Sequence, residues 1–118
     1  MQTLDQERAK FAWDCVKDVS KEYANLAKGA PALVMGNGLM QALAFLHNKG
    51  GPAAKLADHV QKWVSRRLGL QKPDFKSFIS ELVQGDSERL LRATEEALEL
   101  LRWIRQFASA FGEGGAKG

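Results

Sequence analysis

The chain has 118 residues, 45% of them hydrophobic and 26% charged, enough for one core of ordinary domain size and too short for two. Its 17 Lys and Arg against 14 Asp and Glu leave a net charge of +3, and the excess is uneven: residues 1–72 hold 11 basic against 6 acidic side chains, residues 73–118 hold 6 against 8. The single cysteine excludes an internal disulfide, neither it nor the two histidines stand at metal-ligand spacing, and the basic first part is the one that attracts a polyanion or an acidic partner.

The first eight residues carry acids and no apolar block, so they do not read as a secretory signal, and a cytoplasmic protein is expected. Thr3 and Gln6 make a capping box, and Leu4, Phe11, Cys15, Val19 and Leu26 recur at helical spacing. The spacing predicts one helix from residue 4 to Lys28, ended by Gly29. Pro31 suits a first helical turn, and Leu33, Val34, Leu39, Leu43 and Leu46 carry an apolar path across Gly36-Asn37-Gly38. That pattern predicts two short helices or one helix kinked at the glycines. The same uncharged run, Gly29 to Leu46, holds three glycines, a proline and an asparagine, which is wrong for a membrane span of about 20 apolar residues.

Pro52 opens the next helix, which carries Leu56, Val60, Trp63 and Val64 on one face and stops at Gly69. Pro73-Asp74 starts a short helix with Phe75, Phe78, Ile79 and Leu82, and Gly85-Asp86-Ser87 separates it from the last. That last helix is expected from Ser87 to Phe111, apolar over more than half its circumference and buried on several sides. Residues 1–111 thus read as a single all-α domain, a compact bundle of five to six helices, and 112–118 as a flexible Gly-rich tail.

On a helical wheel Lys10, Lys17, Lys21 and Lys28 fall in one narrow arc opposite the apolar stripe of the first helix. Lys55, His59, Lys62 and Arg66 do the same on the helix after Pro52. Any soluble amphipathic helix turns charges away from its core, which is the plain structural explanation; arcs of one sign also suit a row of phosphates. Asp14 and Asp18 weaken the first arc. Trp13 lies beside that arc, where it either packs on a neighbouring helix, stacks on a base or fills a protein interface. Arg67, at a helix C-terminus, reads as a dipole cap. Glu88, Glu95, Glu96 and Glu99 read as a solvated face with Arg92 and Arg102. No nucleophile or carboxylate stands at catalytic spacing from His47, His59 sits among cations, Cys15 reads as an inert core residue, and no enzyme activity, metal or cofactor is expected.

With these elements in place, Gln6-Glu7-Arg8-Ala9, Pro31 followed by Asn37-Gly38-Leu39, Gln41 through Leu46, and Leu56 through Trp63 together resemble the small subunit of the Cmr-type, or type III-B, CRISPR RNA-guided effector complex. The resemblance rests on order and spacing over most of the chain. It implies a non-catalytic bundle that stacks with copies of itself in a minor filament and helps line the channel holding guide RNA and target RNA in antiviral defence. Its partners are then the other effector subunits and those RNAs, and a monomer in dilute solution is compatible with it. The nucleic-acid candidates are Lys10, Lys17, Lys21, Lys28, Lys55, Lys62 and Arg66; the interface candidates are Trp13, Asn37 and Gly38. The glycines around Asn37 let helices approach closely or shape a subunit contact. The rival readings are a free-standing DNA-binding regulator, with the Pro52 helix as recognition helix, and a protein adaptor indifferent to nucleic acid. Against the regulator, that helix has few base-reading side chains at its N-terminal end.

Overall fold

The computed structural model describes the backbone of residues 1–117 and the side chains of residues 1–111. The tail expected over 112–118 lies outside the fully described residues. Six helices follow in order: α1 (Leu4–Cys15), α2 (Lys21–Asn37), α3 (Leu39–Lys49), α4 (Gly51–Leu68), α5 (Phe75–Gln84) and α6 (Ser87–Lys117). The all-α single domain is therefore as expected.

The first two boundaries are not. The helix expected over residues 4–28 is two helices, because Ser20 accepts a hydrogen bond from the Tyr23 amide and starts α2 afresh. A competing N-cap satisfies an otherwise orphaned donor, and the β-branched Val16 and Val19 at the junction weaken a continuous helix. Gly29 does not end α2, nor does Pro31 begin a helix; both lie inside it. A proline there removes one hydrogen bond and costs about 3 kcal/mol. Tyr23, Ala24, Ala27, Ala30 and Val34, all buried on the same helix, offset that cost.

The expected break at the glycines is present: α2 ends at Asn37, and Gly38 adopts φ 87° and ψ 156°, a region open essentially to glycine alone. Close helix approach is not its task. A Cβ built at Gly36 or Gly38 would meet nothing within 4 Å. The later boundaries follow the sequence: α4 ends at Gly69, Asp74 caps α5 through the Ser77 amide, and Asp86 accepts from the Arg89 amide at the start of α6.

The core gathers Trp63, Leu56, Val60 and Val64 of α4, Leu100, Leu101 and Ile104 of α6, Leu39 and Leu43 of α3, Tyr23 of α2 and Phe78 of α5. α6 packs against α2, α1 and α4, with α2 its most extensive neighbour. Both facing helices bury alanines, Ala24, Ala27 and Ala30 on one and Ala93, Ala97 and Ala108 on the other, which lets their backbones lie close. The buried stripe of α6 is narrower than its apolar sequence suggested: Leu91 and Phe111 are exposed. His47 of α3 stacks on Phe75 of α5 with ring centroids 4.0 Å apart.

Candidate functional surface

Glu96 departs most from the sequence reading. It is not part of a solvated face: its side chain is 12% exposed. Arg8 of α1 grips it with both Nε and Nη2, at 2.8 and 3.1 Å, and the Trp63 indole of α4 donates to its Oε1 at 2.8 Å. Arg67 lies in the last turn of α4, as expected of a cation at the helix dipole, and also stands 3.7 Å from Oε2. Burial alone would raise the Glu96 carboxyl, but the Arg8 and Trp63 hydrogen bonds and the two guanidiniums outweigh it and hold it below its usual value. Arg8 is raised in turn, chiefly by its hydrogen bond to Glu96. A bidentate pair also fixes geometry. Its work is structural, joining α1, α4 and α6.

The lysine arc drawn on a continuous first helix does not exist as such. Lys10 lies on α1, Lys17 in the turn after it, and Lys21 and Lys28 on α2. Asp14 accepts both neighbours, with Lys10 at 3.5 Å and Lys17 at 3.2 Å, an exposed arrangement of small energetic weight. On α4 the spacing holds, but Lys62 pairs with Asp58 at 2.9 Å, and Arg66 reaches Glu7 at 3.8 Å while lying 5.3 Å over the Trp63 ring. Lys21 and Lys55 make no ion pair among the described residues.

His59 is no cation of that arc. The buried Tyr23 hydroxyl lies 2.8 Å from His59 Nδ1. Burial drives the Tyr23 phenol far above its usual pKa, so it donates, and His59 accepts as the neutral Nε2–H tautomer. Burial also lowers the imidazole to about 4. Cys15 sits at the same junction of α1, α2 and α4, its thiol pushed up to about 12 by burial and then by Asp14. A thiol held protonated is a poor nucleophile, in keeping with the inert role expected of it. Among the described residues no three His, Cys, Asp or Glu side chains gather at metal-binding distance.

Trp13 packs on a neighbouring helix and remains open to solvent at once. Its ring lies 5.2 Å from Phe107, edge-on, and 5.0 Å from Phe111, yet the residue is 46% exposed. Phe107 in turn lies 5.4 Å from Trp103. These contacts make an aromatic run across α1 and α6 that sequence reading missed, since Phe107 and Phe111 look like ordinary core positions of a long helix. Asn37 donates its side-chain amide to the Leu33 carbonyl at 3.2 Å, a local helix-end bond.

The molecule is a small all-helical bundle whose buried polar groups tie helices together while lysines stay at the surface; no helix among the described residues is long and apolar enough to cross a membrane. The family model of CRISPR-associated proteins named Cas_Cmr5 matches residues 4–111, and the chain belongs to that family. It is 31% identical over 113 residues to the "CRISPR system Cmr subunit Cmr5" of Thermotoga maritima, spanning 90% of this chain and 82% of that one. It is 30% identical over 115 residues to the protein of the same description from Thermus thermophilus, spanning 93% and 96%.

Proposed function

We propose that the chain is the small, non-catalytic subunit of a Cmr-type CRISPR RNA-guided effector complex, stacking with copies of itself and helping to line the channel for guide and target RNA. The observation that carries this reading is family membership across residues 4–111, nearly the whole chain, together with relatives described as Cmr subunits. The charge distribution supports it. A subunit beside a guide–target duplex meets backbone charge and shape while base pairing reads sequence, so it needs cations without a base-reading constellation.

Lys10, Lys17, Lys21, Lys28, Lys55, Lys62 and Arg66 are the proposed contacts to phosphates. Lys21 and Lys55 take part without breaking an ion pair to a described residue. Lys10, Lys17, Lys62 and Arg66 exchange an exposed carboxylate for a phosphate, a small cost at the surface. Trp13, Asn37 and Gly38 are the proposed interface positions.

Native co-purification followed by target-RNA binding tests this. Effector subunits and short guide RNAs should come down with the protein. Assembled complexes carrying Lys21→Glu, Lys55→Glu and Lys62→Glu should bind target RNA more weakly, with the salt slope reduced by about 2 to 3 for three lost phosphate contacts. Unchanged binding and slope would overturn the contact assignment. Recovery alone with chromosomal DNA would favour the regulator.

A further inference from the structure

A cleft of about 280 Å³ opens beside the start of α1, lined by Asp5, Pro31, Trp103, Arg102, Arg105 and Gln106. Its size is near the lower end of small-ligand sites, about 300 Å³ and up. Two flat apolar groups, the Pro31 ring and the Trp103 indole, line it together, although they come from α2 and α6. The indole is held on two sides: Nε1 donates to Asp5 Oδ1 at 3.1 Å, and Phe107 lies 5.4 Å away. A fixed aromatic loses little freedom when a ligand stacks on it.

The polar lining is incompletely used. Arg102 is matched by Glu99 at 2.8 Å, and Asp5, which accepts the Trp103 N–H, lies 3.5 Å from the Arg8 that Glu96 already holds. Arg105 has no ion pair and Gln106 no side-chain hydrogen bond among the described residues. The cleft therefore offers a ligand one cation without an ion pair among the described residues, a free amide that both donates and accepts, and an aromatic wall, with the Asp5 carboxylate held at the indole Nε1. That combination suits a planar heterocycle carrying a phosphate.

We propose that the cleft between Pro31 and Trp103 is a nucleotide site, taking one unpaired base against the Trp103 indole with Arg105 on its phosphate and Gln106 on the base edge. The base comes either from a single-stranded stretch of RNA or from a free nucleotide; the former source rests on the RNA reading above. The site is separate from Lys21, Lys55 and Lys62, so charge reversal there leaves it intact.

The three tryptophans make the test direct on the full-length chain, since each indole N–H gives its own nuclear magnetic resonance signal. Adenosine and uridine monophosphates and short single-stranded adenylate and uridylate RNAs are the probes. The Trp103 signal should move saturably while that of Trp63, bonded to Glu96, stays in place. Arg105→Ala, at an exposed position, should weaken the response about tenfold, in line with loss of a charge-assisted hydrogen bond. Gln106→Ala should weaken it less, and Trp103→Phe should retain binding, read then by the Arg105 side-chain signal. Response to RNA alone assigns the strand as the source, and response to mononucleotides alone assigns the free nucleotide. No movement of Trp103 with any probe, movement at Trp13 alone, or an undiminished response in Arg105→Ala overturns the proposal. None of these results alters which subunits co-purify, so this site and the assembly role fail separately.

Discussion

The Trp63 indole and the Glu96 carboxylate, 33 positions apart, meet at 2.8 Å between α4 and α6. Trp63 is 1% exposed, and its N–H has no water to turn to. The carboxylate that receives it also receives Arg8 from α1, so one side chain satisfies donors from two other helices.

Removing Glu96 leaves the buried Trp63 indole N–H without its acceptor and Arg8 with only the longer ion pairs to Asp5 at 3.5 Å and Glu99 at 3.9 Å. Loss of one partner of such a pair costs about 3 kcal/mol. Glu96→Ala should lower the melting temperature by roughly 10 °C, and Arg8→Ala combined with it should cost clearly less than the two single losses together. Additive losses in thermal melts would mean that the two residues do not act as a unit.

His59 makes stability depend on acid. The folded imidazole titrates near 4, the unfolded one near 6.5. Between those values the unfolded chain binds the proton first, so the stability lost through His59 grows as pH drops from 6.5 towards 4 and reaches its full value below. Asp58 opposes the shift while Lys55 and Lys62 add to it. Allowing for solvent screening of this partly exposed group, the loss is about 2 kcal/mol. Urea midpoints measured across that range should fall in the parent and stay flatter in His59→Phe.

Gly36 and Gly38 are two residues apart and should respond oppositely to alanine. Gly36 is helical with open space around a new Cβ, so Gly36→Ala should stabilise by about 0.5–1 kcal/mol. Gly38 sits at φ 87°, where a side chain is strained, and Gly38→Ala should cost about 2 kcal/mol. Chemical denaturation of the two variants decides it; equal effects would mean that the break between α2 and α3 does not depend on this backbone conformation.

Gly85 is needed for space. A Cβ there would lie 2.9 Å from Arg89 Cδ and 2.9 Å from the Glu81 carbonyl, and Arg89 crosses it to reach Glu81 at 3.5 Å. Gly85→Ala should destabilise by about 1–2 kcal/mol, and hydrogen exchange should quicken at the α5–α6 junction first. Gly85→Ala combined with Arg89→Ala should recover part of the loss, since the backbone contact remains.

The amino-acid sequence by itself determined the helical class, the cap at Thr3, the helix start at Pro73-Asp74, the break at Gly85-Asp86-Ser87, the stop at Gly69 and the apolar face of α4, because each depends on neighbours within a turn or two. The same local logic mistook the first helix. Ser20 and Pro31 both carry local signals, and the burial of Tyr23, Ala27 and Val34 against other helices decided which one ended or began a helix. Family resemblance was legible for the same reason as the helices, through the order of apolar and turn residues along the chain. What only the tertiary structure decided is which charges stay in water. Glu96 stands at the edge of the apolar stripe of α6, where a carboxylate reads as part of the solvated face, and His59 looks like one more cation beside Lys55 and Lys62. The arrival of Arg8 and Trp63 from distant positions makes the first a buried acceptor, and the Tyr23 hydroxyl makes the second a neutral one. A side chain's charge state depends on desolvation and on partners brought from far along the chain, and neither is written in the spacing of its own helix.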